Sequence, residues 1–445
     1  KHSQFEIGMG RQNKDSWDVV FPASSHNVSR TLGDSDQGKY IQRYVAALGA
    51  KTCVLEDKYI DKDYTIDYQK FYCRSFEEYG KLAKRIHFFS MIFSSEDFKF
   101  YLINNDVSLL QESYLGFVVV KPIKDDHGQP FIGRTLLKPY PIRSEIGHNR
   151  YYIMEEYNSS LFGVKLKIRS LPFQAQDQGV SACATIALWA AIHPLRTIFG
   201  VLGHSPAEIT ELSTSFPAQF RKFPSDGLTM EQMVNYIKLL DLDVEFLDVI
   251  DEELIQTAVN AYMRAGLPII ASLLLKKNGY NGLHAVVLSG YKEDKSGNIV
   301  ELYAHDDGIG PYSRILPKDD FMQWINEWHD QGYEVELQKF LIPIYPKIRL
   351  TFFRMYIEFL KIKEKLNSRL PDSEIKLFLT SVVDYKEHLL SSSMKNKIDK
   401  LFTSLPKFLW IIRFYHERKL IGDLIYDGTS VYVKRLMSVE YNFVS

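Results

Sequence analysis

The chain has 445 residues, 45% of them hydrophobic and 24% charged, and its 54 basic and 55 acidic side chains leave a net charge of -1. This composition argues against long disorder and offers no general attraction for nucleic acid or an anionic membrane. The length calls for two or three domains rather than one core.

Three cysteines, Cys53, Cys73 and Cys183, show neither zinc-type spacing nor the even count of a disulfide framework, so a reducing, cytoplasmic setting is expected. The first residues, Lys1 to Glu6, lack an apolar signal core. The longest buried-looking run, Leu267 to Leu275, is far short of the ~20 residues a membrane helix needs, so no membrane partner is expected. Asn27-Val28-Ser29 and Asn158-Ser159-Ser160 match the glycosylation pattern by chance on this reading.

Residues 1–165 read as an α+β region. Ser75-Phe76-Glu77-Glu78 has the form of a capping box and predicts a helix through Leu82, Ile86, Phe89 and Met91. The run Leu115 to Val120 predicts a buried strand ended by Pro122. Tyr151 to Met154 and Val164 to Ile168 predict a hairpin around an Asn-Ser-Ser turn. The dense aromatics of this region are explained by core packing, and it carries no chemical motif.

Residues 166–345 are the best organised. Cys183 to Ile192 predicts a small-residue helix ended by Pro194. Ser205-Pro206-Ala207-Glu208 and Thr229-Met230-Glu231-Gln232 are capping boxes that open two more. Asp251 to Ala265 predicts another helix, stopped by Gly266 and Pro268. Strand patterns follow at Pro268 to Leu275, His284 to Tyr291 and Ile299 to Ala304. Helices first and antiparallel strands afterwards argue for an α+β fold. In residues 346–445, Arg349 to Leu366 has helical spacing and Pro371-Asp372-Ser373-Glu374 predicts a further helix. Asp423 to Val433 reads as a hairpin, so this region is expected to be mainly helical with a terminal hairpin.

Candidate chemistry lies in an ordered set. Cys183 opens a helix, His284 opens a strand, and Asp306 ends the next strand. A thiolate at a helix N-terminus beside an imidazolium is favoured by both neighbours. An aspartate behind the imidazole would fix its tautomer. Asp307 competes with Asp306 for that role, while His193, His305 and Trp189 read as structural. A side-chain amide upstream of Cys183 would serve a developing oxyanion, with Gln178 preferred over Gln176.

These segments resemble a known superfamily. Asp177-Gln178-Gly179-Val180-Ser181-Ala182-Cys183 is similar to the Asn/Asp-Gln-Gly…Ser-Cys segment of papain-like peptidases. Cys183-Ala184-Thr185-Ile186-Ala187-Leu188, His284-Ala285-Val286-Val287-Leu288 and Leu302-Tyr303-Ala304-His305-Asp306 resemble segments of bacteriocin-processing, C39-like peptidases. In the family the glutamine sits six residues before the cysteine, where this chain has Asp177.

The resemblance implies a nucleophile helix packed on an antiparallel sheet and an intracellular cysteine protease acting through Cys183, His284, Asp306 and Gln178. It implies a protein or peptide substrate, no cofactor and no metal, with the flanking regions available to a regulatory protein partner. Two alternatives stand beside it: an acyltransferase using the same residues, and a catalytically silent module that uses the fold for binding or regulation.

Overall fold

The computed structural model describes residues 19–145, 148–177, 179–215, 227–318, 321–370 and 373–442. The chain begins with β1 (Val20–Pro22), α1 (Ser25–Leu32), α2 (Asp36–Ala47), β2 (Thr52–Tyr59), α3 (Lys62–Lys70) and β3 (Ala83–Phe89). It continues with α4 (Ser95–Ile103), α5 (Ser108–Ser113), β4 (Tyr114–Lys124) and β5 (Pro130–Leu137). The five strands form one antiparallel sheet in sequence order.

Both faces of this sheet are covered. On β4, Val118 and Val120 join Ile41 and Tyr44 of α2 in one core, and Phe117 and Val119 join Phe98 and Leu110 in another. Burial on two faces removes the alternation that marks a half-exposed strand. This is why β3 replaces the helix expected after Ser75: Ile86, His87, Phe88 and Phe89 are all buried and imitate helical spacing. Strand β4 also runs on through Pro122. Its pairing with β3 reaches only Val120, so no β3-side ladder bond is lost at the proline.

Two short strands, β6 (Arg143–Glu145) and β7 (His148–Tyr152), join the next sheet, and β8 (Glu155–Leu161) and β9 (Val164–Ser170) form a separate hairpin. Its turn is Phe162-Gly163, both at positive φ (46° and 92°), as tight two-residue hairpin turns require. The expected Asn-Ser-Ser turn lies inside β8 instead.

Then come α6 (Cys183–Phe199), α7 (Pro206–Ser213), α8 (Met230–Leu239), β10 (Asp243–Asp248) and α9 (Glu252–Met263). Both predicted capping boxes are formed, with Ser205 and Thr229 as N-caps. Helix α6 is buried on nearly every side and continues through Pro194 to a left-handed Gly200 cap. Packing around it outweighs the one hydrogen bond the proline removes.

Strands β11 (Ile269–Lys277), β12 (Tyr280–Glu293), β13 (Ile299–Asp306), β14 (Gly310–Lys318) and β15 (Gln323–Ile325) follow, then α10 (Glu327–Asp330) and β16 (Glu334–Ile344). Strand β11 pairs with both β12 and β16, so the six strands close into a barrel; β10 extends it beyond β16, and β7 and β6 extend it beyond β12. Helix α6 packs on β11, β12 and β13. The expected helix on an antiparallel sheet is therefore a helix on a closed barrel.

The final region corrects the expectation of a mainly helical end. After α11 (Phe352–Asn367) the chain forms β17 (Ser373–Ser381), α12 (Val382–Ser391), α13 (Lys397–Phe402), β18 (Phe408–His416), β19 (Lys419–Asp427) and β20 (Arg435–Glu440). The four strands make an antiparallel sheet in sequence order. Leu377, Leu379, Trp410 and Ile412 point to the large central core, while Phe378, Leu409, Ile411 and Ile425 point to a second core with Tyr385 and Leu389 of α12. The segment around Ser373-Glu374 starts a strand because its alternate residues have two cores to fill. Among the described residues no helix is long and apolar enough to cross a membrane.

Candidate functional site

Local structure places each side chain. Cys183 is the first residue of α6, preceded by an extended Ala182 that offers no side-chain cap, so the uncapped positive end of the helix faces the thiol. His284 lies on β12 opposite Leu273 of β11. Asp306 ends β13, which is antiparallel to β12. Cys183 and His284 line one cavity of about 700 Å³. Ile270, Leu283, Met230 and Met233 give it mostly apolar walls, and Gln176, Gln232 and Ser272 add polar points.

The imidazole is held from behind. His284 Nε2 lies 2.9 Å from Asp306 Oδ1 and 3.9 Å from Asp307 Oδ1, with only 10% of the histidine side chain exposed. Asp306 is fixed in turn: the Gly308 N–H donates to its Oδ1 at 3.0 Å, and Trp328 Nε1 donates to its Oδ2 at 2.8 Å. The Trp328 ring meets the imidazole edge-on, with centroids 5.6 Å apart.

Burial disfavours the charged ring. The Asp306 charge, its hydrogen bond, a hydrogen bond with the Cys183 side chain and the Asp307 charge together overcome that penalty and hold His284 well above its ordinary pKa. Asp307 is itself pushed up to about 7 by burial, against the attraction of His284 and with repulsion from Asp306. Its Oδ2 is buried without a hydrogen-bond partner.

The expectation of a thiol protease is corrected here. Among the described residues, the His, Cys, Asp and Glu side chains that converge within 4.8 Å are His284, Asp306 and Asp307, with no cysteine in the group. Cys53 is buried in the N-terminal sheet, where burial pushes its thiol up to about 12, and Cys73 is exposed. Cys183 meets the ring from the cavity side, where its side chain hydrogen-bonds His284, and lies outside the 4.8 Å cluster. The converged group is a carboxylate–imidazole–carboxylate set rather than a Cys-His-Asp triad, and the cysteine-peptidase reading is not carried further.

The same three residues are poorly arranged for a metal. Asp306 already spends Oδ1 on His284 and Gly308 and Oδ2 on Trp328, so both of its oxygens are committed to hydrogen bonds.

Gln178 lies outside the described residues, while Gln176 lines the cavity. Asp177 points away from it: its Oδ2 takes Lys121 Nζ at 2.9 Å, and its Oδ1 takes the Val180 N–H at 3.0 Å. His305 is structural, held between the Leu171 carbonyl and the Tyr312 N–H, and burial lowers it to about 4. His193 packs on Trp189, and burial lowers it to about 3. Sequence reasoning missed Trp328 and Lys121, because no local pattern marks a residue that acts across the fold.

No protein-family profile and no curated protein matches the chain. Among solved structures, the peptidase domain of Streptococcus ComA, a bifunctional ABC transporter involved in a quorum-sensing pathway, is 17% identical. The match covers 37% of this chain and 97% of that one, with a TM-score of 0.22.

Proposed function

We propose that the barrel and its packed helices form a binding module, catalytically silent, whose cleft takes an extended protein segment. One observation carries the reading: a buried imidazole, backed by Asp306 at 2.9 Å and Asp307 at 3.9 Å, lines a mostly apolar cavity of about 700 Å³. A volume in this range holds a ligand of drug size, which matches several consecutive residues of an extended segment. The ring is fixed through Nε2 by Asp306 and meets the Cys183 side chain at the cavity, so this end of the cleft offers polar contact beside otherwise apolar walls. Exposed Leu283 at the rim, 76% accessible, gives an incoming chain an apolar landing point.

The test is a fluorescence-polarisation screen of extended peptides against the full chain, followed by mass spectrometry of the recovered peptide. The reading expects peptides that bind and return intact, and an affinity loss of about tenfold or more in Leu283→Glu, a typical size for one apolar contact at a cleft. Cleavage of the peptide that disappears in Cys183→Ala would overturn it, as would equal affinity in Leu283→Glu.

A further inference from the structure

The five-stranded N-terminal sheet and its helices touch the cleft at two separate places. On one side, Lys121 of β4 reaches the segment that leads into α6. Its Nζ lies 2.9 Å from Asp177 Oδ2, with 2% and 0% of the two side chains exposed. The other oxygen of Asp177 receives the N–H groups of Val180 and Ser181 and the Ser181 hydroxyl. That one carboxylate therefore ties the 180–181 backbone to the N-terminal sheet. Gly179 presses against the same neighbour, since a Cβ there would stand 2.9 Å from both the Phe71 ring and the Tyr72 hydroxyl.

On the other side, α2 grips the turn after Asp306. Gln37 Nε2 donates to the Asp307 carbonyl at 3.2 Å, and the Tyr40 hydroxyl donates to the Pro311 carbonyl at 3.2 Å. Gly310 lies flat on Tyr40, and a Cβ there would stand 2.1 Å from the ring. The segment that leads to Cys183 and the turn that carries Asp306 and Asp307 behind His284 are each set by a polar anchor and a glycine pressed on an N-terminal aromatic ring.

We propose that the N-terminal region is a brace for the cleft, with Lys121 and Tyr40 as positioning residues: the first sets the approach to Cys183, the second sets the turn that carries the carboxylates behind His284. Packing alone needs neither a fully buried ion pair, which is costly to desolvate, nor a backbone pressed this closely on a ring. Both devices sit at the segments that flank the cleft residues. The proposal rests on the binding reading for its purpose, but its geometry can be tested without any ligand.

Three readouts on the full chain decide it: iodoacetamide alkylation of Cys183 followed on its own peptide, the NMR titration of the His284 ring, and affinity for a peptide from the screen above. Lys121→Met is expected to change the alkylation rate by about fivefold or more, because the loop that leads into Cys183 loses its anchor and the exposure of the thiol changes with it. Lys121→Met/Asp177→Asn, which removes both charges and keeps the acceptor for the loop N–H groups, is expected to return the rate to within about twofold of the parent. Gly310→Ala is expected to move the His284 midpoint, and Gly310→Ala/Tyr40→Ala to restore it.

Phe93→Leu, in the far core of the N-terminal sheet, controls for general destabilisation and should leave both readouts in place. Folded Lys121→Met and Gly310→Ala proteins with parental alkylation and titration would overturn the brace, as would a Phe93→Leu change of equal size. If Lys121→Met does not fold, the charge-free double variant and the Gly310→Ala pair still decide. Failure of the wild type to bind peptide would remove the binding reading alone, since alkylation and titration report on the brace directly.

Discussion

Asp67→Asn should stabilise the protein by an amount that grows with pH. Asp67 is on α3, fully buried, with Oδ1 accepting the Ala207 N–H of α7 at 3.0 Å and Oδ2 without a partner. Burial pushes its carboxyl up to about 8; Lys121 and the Ala207 N–H oppose the shift, and Asp177 and Asp63 add to it. In the unfolded chain the same group titrates near ~3.9. Between these values the native state holds a proton that the unfolded state has released, so stability is fully present below about pH 4 and is lost as pH rises toward about 8. About four pH units at ~1.4 kcal/mol each set a ceiling on the order of 5 kcal/mol for that loss.

Asparagine keeps the acceptor for Ala207 and cannot ionise. Urea denaturation at pH 5, 6, 7 and 8 should therefore show a variant-minus-parent difference that widens by up to ~1.4 kcal/mol per unit and levels off above pH 8. Parallel curves would refute the reasoning: a constant offset would mean that packing, not ionisation, separates the two proteins.

Asp306→Asn should lower the His284 titration midpoint by about 1–3 units, because it removes the nearest charge favouring the protonated ring. Asp307→Asn, from 3.9 Å rather than 2.9 Å, should lower it less, and the reverse ranking in an NMR titration would make Asp307 the principal partner. The raised His284 also stabilises the fold below the unfolded value of ~6.5, a contribution lost as pH rises through the folded value; the loss should vanish in His284→Gln. Arg413→Met should cost about 3–5 kcal/mol by leaving Asp423 buried without its cation. Arg413 Nε and Nη2 reach the two Asp423 oxygens at 2.7 and 2.8 Å. Thermal unfolding that shows less than about 1 kcal/mol would mean the Tyr385 and Tyr441 hydroxyls already satisfy the carboxylate.

What could be read from the sequence was mostly local. Ser205 and Thr229 announce their helices because a capping box closes within four residues. Three strand patterns near 269, 284 and 299 return as β11, β12 and β13. Antiparallel pairing of β12 with β13 then brings His284 to Asp306. The failures come from burial on two faces. In β3 and β17 each face meets a different core, so apolar residues run together and the twofold alternation that separates strand from helix disappears. Ser75 and the segment before Ser373 looked like helix starts beside those runs, and nothing local distinguished them.

The site itself divides along the same line. Placing Cys183 at a helix start needs only neighbours in sequence, and so does placing Asp306 at a strand end. What those residues do depends on partners that no spacing predicts: Trp328 from α10 on Asp306, Asp307 as a second carboxylate behind the ring, and Lys121 drawing Asp177 out of the cavity. The last is the most instructive. Asp177 stands six residues before Cys183, between Gln176 and Gln178, and the sequence alone leaves open which of these side chains faces the cavity. In the fold, Asp177 instead ties the N-terminal sheet to the loop before Cys183 through a buried ion pair. An acidic side chain at that position is accommodated because a lysine from 56 residues earlier neutralises it. The buried carboxylate and the brace are thus two aspects of one contact, and losing the charge at Lys121 should disturb the loop more than losing both charges together.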